Sequence, residues 1–152
     1  MRCFRYIRYD LCMYIFYTEC KIEIFIHYNY IQIFIMKCET RYIAQLGIDI
    51  EFKIGKNASD NFDIIESSQA NDLWFHIDDH SSCHVVASMA ENTNYTKKQL
   101  LYIIKQGAIL CKQHSKYKSQ KDVSIIYTYI KNITMTDIVG SVITESAKTI
   151  KI

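Results

Sequence analysis

The sequence has little of what marks a membrane or secreted protein. Its 152 residues contain no apolar run as long as a membrane helix, which needs about 18 uninterrupted apolar residues. Residues 1–35 are rich in hydrophobic side chains, but charged residues interrupt them throughout and no small-residue cleavage site is present. We therefore expect neither a membrane span nor a signal peptide.

The cysteines also lack the spacing of a disulfide framework. The chain has six of them, with no C-x-x-C pair, and three lie before Met36. Reduced thiols in a reducing compartment are the expected state, and the cytoplasm is the expected location. Cys111 falls on the apolar face of a predicted helix, so we expect it in the core.

Residues 1–35 contain no Gly, Ala, Val, Ser or Pro, and they hold ten aromatic residues and eight isoleucines. This composition resembles translated AT-rich non-coding sequence, and Met36 offers a natural start. We expect 1–35 to be a non-native or poorly ordered extension, and 36–152 to be the functional domain. The alternative is a genuine strand-rich element, since hydrophobic residues alternate in Ile22–Ile26.

Acidic residues are missing from one part of the chain. Met36–Asn92 has four Lys/Arg against ten Asp/Glu, whereas Thr93–Ile152 has ten against three. Between Lys97 and Lys121 there are seven lysines and no acid. A basic stretch of this kind inside a folded domain is typical of a surface that binds a polyanion, although a solvated helix face gives a similar pattern.

From Met36 onward, the patterns predict an α+β domain: an antiparallel or mixed sheet of about six to seven strands packed on one long amphipathic helix. The predicted strands are Arg41–Gln45, Ile48–Ile54, Leu73–Ile77, His84–Met89, Val123–Ile130, and Gly140–Thr144 paired with Thr149–Ile152 in a closing hairpin.

The predicted helix begins with a capping box formed by Thr96 and Gln99 and runs to about His114. Its apolar face consists of Leu100, Leu101, Ile103, Ile104, Gly107, Ala108, Leu110 and Cys111. The opposite face carries Lys98, Lys105 and Lys112, with Tyr102 among them. The pattern indicates a core-packing helix with a row of lysines on its outer side.

Three histidines spaced four residues apart, His76, His80 and His84, lie in a segment that also holds the only tryptophan. This spacing presents two imidazoles to one metal ion when the segment is helical. Here the flanking residues are aromatic and β-branched, and the polar stretch 78–82 predicts two strands joined by a tight loop. The histidines would then lie on different strands and at the loop tip, and a zinc site is the less favoured alternative.

Five short motifs occur in order along the chain. They are Gly55-Lys56-Asn57 with Asp60-Asn61, Asp72-Leu-Trp-Phe-His76, Ser82-Cys-His-Val85, His114-Ser-Lys116, and Val123-Ser-Ile-Ile-Tyr-Thr128. Over roughly Tyr42–Ile152, this series resembles the RNA-binding domain found at the C-terminal end of NFACT proteins. The Ser81-Ser-Cys-His84 sequence is closer to the branch found in a small coiled-coil-domain protein.

The resemblance implies a non-enzymatic domain without cofactor or metal that binds structured RNA, such as tRNA or rRNA on the large ribosomal subunit. Charge alone also predicts that lysines of the helix and the following loop bind phosphates. Tyr102 lies among these lysines and is expected to stack on a base. The candidate RNA-binding residues are Lys56, Asn57, Lys98, Tyr102, Lys105, Lys112, Lys116, Lys118 and Lys121.

The residues that carry the family fingerprint are Asp72, Trp74, Phe75, His76, Ser82 and His84. A single tryptophan on a strand more often packs in a core than binds a ligand, so Trp74 is predicted to be a core residue. Asp72 is expected to orient an imidazole, and Ser82 or a histidine nitrogen to face a phosphate or ribose. The alternative is that these polar groups only satisfy one another at the end of the sheet.

Two segments depart from the family pattern. Thr128-Tyr-Ile-Lys131 and Thr136-Asp-Ile-Val-Gly140 stand where many members have a basic Thr-Arg-Lys and a Lys/Pro/Gly-rich loop. One RNA-facing element is therefore expected to be weaker. The N-terminal NFACT domain and the long coiled coil are not in this sequence, so a role in ribosome quality control that needs them is not implied. A protein partner in place of the coiled coil is one expectation.

Two other classes of function stay open at this point. A metal-dependent hydrolase or nuclease would use His76, His80, His84 and Asp78, although no motif supplies a nucleophile or a spaced pair of carboxylates. A protein-interaction domain would dock an acidic partner on the basic face.

Overall fold

A computed structural model describes residues 20–27 and 30–152, with side chains described from Met36 onward. Most of residues 1–35 lie outside the described residues or are described without side chains. The expectation that they form a non-native or poorly ordered extension therefore stays a prediction. The elements are β1 (Cys20–His27), β2 (Tyr30–Ile43), β3 (Ile48–Ile54), α1 (Ala58–Glu66), β4 (Leu73–Ile77), β5 (Val85–Ala87), α2 (Lys97–Gln113), β6 (Ser124–Tyr129), a 3₁₀ turn (Ile130–Asn132), β7 (Ile133–Met135), β8 (Val142–Thr144) and β9 (Lys148–Lys151).

The main sheet has the strand order β1-β2-β3-β5-β4-β6-β9, and β7 and β8 form a separate two-stranded sheet. Six strands of the main sheet lie within residues 30–152, and every recorded pairing in both sheets is antiparallel. The α+β class and the antiparallel sheet are therefore confirmed. The hairpin around Gly47 is also confirmed, because Ile43 pairs with Ile48 across a turn where Gly47 has a φ of +67°.

The structure has two helices where the sequence analysis expected one. The missed helix, α1, follows Asn57, whose side chain caps it by accepting from the Asp60 amide at 2.9 Å. Only Asn61, Ile64 and Ile65 of α1 are buried. A helix of nine residues with so narrow an apolar stripe leaves little periodic signal in the sequence.

The second helix, α2, has the predicted limits and the predicted capping box. The Thr96 side chain accepts from the Gln99 amide, and the Gln99 side chain accepts from the Thr96 amide at 2.9 Å. Cys111 is buried as expected. Leu101 was placed on the apolar face but is 43% exposed. Neither helix among the described residues has the length and apolarity needed to cross a membrane.

The prediction of a closing hairpin at the C-terminal end is wrong. Its two strands belong to different sheets, because β8 pairs with β7 and β9 pairs with β6. The chain changes direction at Ser146, which has a φ of +52°. Before this turn, the Glu145 amide donates to the Asn132 carbonyl at 2.8 Å. The Glu145 carbonyl accepts from the Thr128 hydroxyl at 3.1 Å. The first contact continues the pairing of β7 with β8, and the second ties the turn to β6 of the main sheet.

Alternating side chains of β4 enter two different hydrophobic clusters. Leu73, Phe75 and Ile77 pack under α2 in the larger cluster. Trp74 packs on the other face, with Ile64 and Ile65 of α1 and with side chains of β7 and β8. The main sheet therefore has α2 on one face, and α1 with the small sheet on the other.

Candidate nucleic-acid interface

Two strands bring the halves of the family fingerprint together. β4 and β5 pair with Trp74 opposite Val86 and Phe75 opposite Val85. His84 precedes β5 directly, and its ring lies 5.1 Å from the ring of His76, centroid to centroid. The prediction that the two histidines lie within cross-strand reach is therefore confirmed.

Trp74, His76 and His84 form a cluster of three rings. Trp74 is stacked with His76, with centroids 5.6 Å apart, and it meets His84 edge to face at 5.0 Å. Both Trp74 and His84 are 1% exposed, so the prediction that Trp74 is a core residue is confirmed. Nε1 of Trp74 and Nδ1 of His84 are buried without a hydrogen-bond partner.

Burial also sets the charge of this ring cluster. It lowers the pKa of His84 to about 3, with a smaller contribution from the neighbouring His76. Burial likewise lowers the pKa of His76, although a backbone hydrogen bond at Ile77 and the charge of Asp78 oppose the shift. His84 is therefore a neutral imidazole at physiological pH, which offers one N–H donor and one nitrogen acceptor.

The Gly-Lys-Asn motif supports His84 from the side of α1. The Asn61 side chain accepts from the His84 amide at 2.9 Å and donates to the Ser82 carbonyl at 3.4 Å. The Gly55 amide donates to the His84 carbonyl at 3.0 Å. A side chain at Gly55 would occupy the space of the Asn61 side chain. Asn61 is a site residue that the sequence patterns do not single out, although its place in the first motif was the available signal.

Two fingerprint residues have other partners than expected. Asp72 was predicted to orient an imidazole, but its carboxylate oxygens accept from the amides of Gln69 and Met89, both at 2.8 Å. Asp72 therefore fixes the chain ends that flank β4 and β5. The Ser82 hydroxyl accepts from the Ile77 amide and donates to the Cys83 carbonyl, both at 3.1 Å. These bonds close the turn between the strands.

His80 lies apart from the other two histidines. Its ring is stacked on Tyr117, with centroids 4.9 Å apart, in the loop that follows α2. The three imidazoles required by the hydrolase alternative are therefore not brought to one point. Among the residues that the structure describes, no group of three or more His, Cys, Asp or Glu side chains is arranged to hold a metal ion.

A cleft of about 540 Å³ opens over the ring cluster. Its floor includes Trp74, His76 and His84, and its walls come from the start of α1, the 81–83 segment and the β7–β8 connection. Gly140 lets that connection approach α1, since it has a φ of +85° and a side chain there would meet Ala58. Sequence analysis missed this wall, because the contact joins segments distant in the chain.

The predicted lysines of α2 and its following loop lie on the other face of the sheet or at its end. Lys98 and Lys105 of α2 are exposed, as are Lys116, Lys118 and Lys121 of the following loop. Lys112 is half-buried, and its ammonium group donates to the Ile152 carbonyl at 2.9 Å. We name the five exposed residues the lysine surface.

Three other predicted contacts have specific surroundings. Tyr102 is half-buried and packs against the larger hydrophobic cluster, so only part of its ring faces solvent. Asn57 is exposed but its side chain caps α1. Lys56 is exposed at the rim of the cleft, with its backbone amide held by Asp60 at 3.1 Å. Their RNA-binding roles stay predictions.

The fold and these sites define an α+β domain with a basic helix on one face of its sheet and a ring-floored cleft on the other. The model of the NFACT protein RNA-binding domain matches residues 50–151. The chain therefore belongs to the NFACT RNA-binding domain family, and the resemblance seen in its motifs is confirmed.

Solved structures show the same fold. The C-terminal part of the fibronectin/fibrinogen-binding protein from Streptococcus suis is similar to this chain, with a TM-score of 0.60 and 23% sequence identity. The alignment covers 74% of this chain and 44% of that one, so this chain corresponds to less than half of that structure. Comparison with curated proteins gave no match.

Proposed function

We propose that this domain is a non-enzymatic RNA-binding module that acts in the cytoplasm and contacts structured RNA, namely tRNA or rRNA on the large ribosomal subunit. Family membership supports RNA as the ligand class. The observation that carries the proposal is the lysine surface: five exposed lysines on α2 and its following loop, with no acid between Lys97 and Lys121. Contacts of lysines with phosphates dominate RNA affinity and carry little sequence information.

The arrangement of the lysines supports a structured ligand. Lys98 and Lys105 are two turns apart on the outer side of a 17-residue helix, and the loop lysines continue the surface beyond its C-terminal end. At 1.5 Å per residue, α2 alone extends for roughly 25 Å. A rigid row of charges of this length suits the regularly spaced phosphates of a folded RNA.

A filter-binding titration of tRNA over a range of salt concentrations tests the proposal. With about five phosphate contacts, the logarithm of the affinity should fall with the logarithm of salt with a slope of roughly −4, since each contact contributes about −0.7 to −0.9. Replacing Lys98 and Lys105 with Ala should reduce the slope by about 1.5. The matched control replaces Lys148 and Lys151 of β9, both exposed, which removes the same charge outside the lysine surface.

A slope near zero, or equal slopes for the two double variants, would contradict the proposal. The result would then favour the alternative in which the basic face docks an acidic protein. Nuclease treatment of a pulldown separates these two outcomes, because capture through RNA is lost after digestion whereas direct protein capture is not.

The packing of the histidines supports a role without catalysis. His76 is stacked on Trp74, His84 packs edge to face against both rings, and His80 is stacked on Tyr117. A hydrolase would need a base and an activated nucleophile or metal at one point. Incubation of labelled tRNA with the domain should therefore leave the RNA intact.

A protein partner is a further part of the proposal. Three large apolar side chains of the β7–β8 unit are strongly exposed: Ile138 by 73%, Val139 by 58% and Ile143 by 61%. Apolar side chains grouped on a surface in this way are typical of protein contacts. A partner that supplies the coiled coil found in other family members would join the domain here.

A further inference from the structure

We propose that the cleft over Trp74, His76 and His84 binds a single unstacked nucleotide of the RNA, with its base against the ring cluster and its phosphate at Lys56. This inference rests on the proposed RNA-binding function and assigns it a second site, on the face of the sheet opposite α2. The cleft, rather than the lysine surface, would then let the domain distinguish unpaired bases of an RNA from paired ones.

The floor of the cleft carries polar atoms that the protein itself leaves unsatisfied. Nε1 of Trp74 and Nδ1 of His84 are buried and have no hydrogen-bond partner, although both residues line the cleft and are 99% buried. Buried polar groups of folded proteins nearly always have partners, so two such atoms in neighbouring rings of the floor point to a ligand that supplies them. The Trp74 indole can only donate, so the ligand must present an acceptor.

The chemistry of the floor selects a base over a phosphate. The imidazole of His84 on the floor is neutral, and the one lysine of the cleft lining, Lys56, lies exposed at its edge, so a phosphate placed against the rings would lose its hydration without a counter-charge from His84. A nucleobase has carbonyl oxygens and ring nitrogens along its edge and an apolar face above it. It can therefore accept from the Trp74 indole and contact His76, as unstacked bases do on aromatic side chains.

The rim supplies the complementary charge. Lys56 is exposed at the edge of the cleft, and the Ser81, Ser82, Ser141 and Thr144 hydroxyl-bearing residues line its walls. The cleft volume of about 540 Å³ lies within the range of small-ligand sites, which is about 300–1,000 Å³. One nucleotide, with its ribose between the hydroxyl groups and its phosphate at Lys56, matches this arrangement.

The surrounding charges restrict the ligand to one nucleotide. α1 carries Asp60, Asp63 and Glu66, and burial, together with the negative charges of Asp60 and Glu66, raises the pKa of Asp63 above its usual value. A phosphate backbone running along α1 would meet this negative charge. The cleft therefore suits a strand end or an extruded nucleotide, and not a continuous single strand.

The basic loop connects the two sites. His80 is stacked on Tyr117, and the Lys116 ammonium group lies 5.3 Å from the centre of the Tyr117 ring. The residues directly after His80, Ser81 and Ser82, line the cleft. An RNA bound at the lysine surface can thus reach the cleft around the end of the sheet, past the His80–Tyr117 contact.

The only tryptophan of the chain lies at the floor of the cleft and reports its occupancy. The test titrates the full chain with short single-stranded oligomers of each of the four bases, and with a blunt-ended RNA duplex of equal phosphate number. Tryptophan fluorescence and the single indole N–H signal in a ¹⁵N–¹H correlation spectrum are recorded, with filter binding in parallel. At least one single-stranded oligomer should quench the fluorescence saturably and move the indole signal downfield, whereas the duplex should bind without either change.

A variant pair checks that the signal comes from the cleft. Lys56→Ala should weaken the fluorescence-detected affinity roughly three- to tenfold, as expected for the loss of one hydrogen bond at a solvent-exposed site. Lys148→Ala removes the same charge on β9, outside both the cleft and the lysine surface, and should leave it within about twofold. Neither lysine is buried, so both variants should fold.

The outcomes separate this inference from the proposed function. RNA that binds with the expected salt dependence but leaves the indole signal and fluorescence unchanged overturns the nucleotide cleft and leaves the RNA-binding function standing. Equal spectral responses to the duplex and to the single strands also overturn it. Absence of RNA binding by any of the measurements overturns the proposed function, and the cleft inference falls with it.

Discussion

Gly55 leaves free the space that the side chain of Asn61 fills. A Cβ at position 55 would collide with the Asn61 amide oxygen, which accepts the hydrogen bond of the His84 amide. The pair therefore links the first motif of the family to the second, and it sets the position of His84 under the cleft. A glycine that looks like a loop residue in the sequence is in fact required by a close contact.

Gly55→Ala should therefore destabilise the domain by about 1–3 kcal/mol, because the clash overpacks a tightly filled site. Urea unfolding monitored by circular dichroism measures this change. Gly47→Asn is the matched control: this glycine lies in an open turn with a φ of +67°, and asparagine tolerates that conformation. Equal stability of Gly55→Ala and the unmodified chain would show that Asn61 can move without cost.

Trp74→Ala should cost about 3–5 kcal/mol, because it empties the centre of the cluster between the sheet and α1. Trp74 is 1% exposed and packs with Ile64, Ile65 and Val86. In a domain of this size, such a loss brings the folded state close to its limit of stability. Tyr42→Ala is the control for removal of a large ring, since Tyr42 is 66% exposed. Cooperative thermal melting at the original temperature would contradict the assignment of Trp74 to the core.

Much of this arrangement could be predicted from the sequence. The capping box at Thr96 and the aromatic and β-branched residues of β4 are local signals, and each predicted the correct element. The positions of His76 and His84 followed from the turn between two short strands. Helix α1 was missed because its apolar stripe is narrow. The cleft was missed because its wall depends on Gly140 lying against Ala58, a contact between segments far apart in the chain.

The pH dependence of stability should report the burial of His84. The pKa of His84 is about 3 in the folded chain, below its usual value of 6.5. Between these two pH values the unfolded chain therefore binds a proton at His84 that the folded chain does not. The free energy of unfolding should therefore be unaffected above pH 6.5 and fall as the pH drops, by about 1.4 kcal/mol per unit within the window. The sum from pH 7 to pH 5 is roughly 2 kcal/mol.

Urea unfolding at pH 7 and pH 5 measures this loss, and the imidazole signals of His84 should stay those of the neutral form over the same range. His84→Phe keeps a ring in the cluster and removes the titrating group, so its stability should depend less on pH. His80→Ala is the matched control and should retain the full dependence, because His80 is exposed at the loop tip. Equal pH dependence in His84→Phe and the unmodified chain would refute the assignment.

The two thiols at the junction of α2 and the cleft should differ in reactivity. Cys83 and Cys111 each lie within hydrogen-bond distance of the other's backbone carbonyl, at 3.6 and 3.8 Å. The hydrogen bond between the thiols lowers the pKa of Cys83, and the same contact together with burial raises the pKa of Cys111. Cys83 is half-buried beside the cleft, whereas Cys111 is fully buried.

Iodoacetamide applied to the folded protein at neutral pH should therefore alkylate Cys83 well before Cys111, because the thiolate is the reactive form and needs access to the reagent. Peptide mass spectrometry over time measures both rates, and the same reaction in urea provides the control, in which the two rates should converge. Cys111→Ser would leave Cys83 without its thiol partner and should slow its alkylation, while Ser115→Ala, which alters α2 beyond its last turn, should not. Faster labelling of Cys111 in the folded chain would contradict this prediction. It would mean that the contact between the thiols lowers the pKa of Cys111 instead of Cys83, and that the reagent reaches the side chain under α2 before it reaches the cleft.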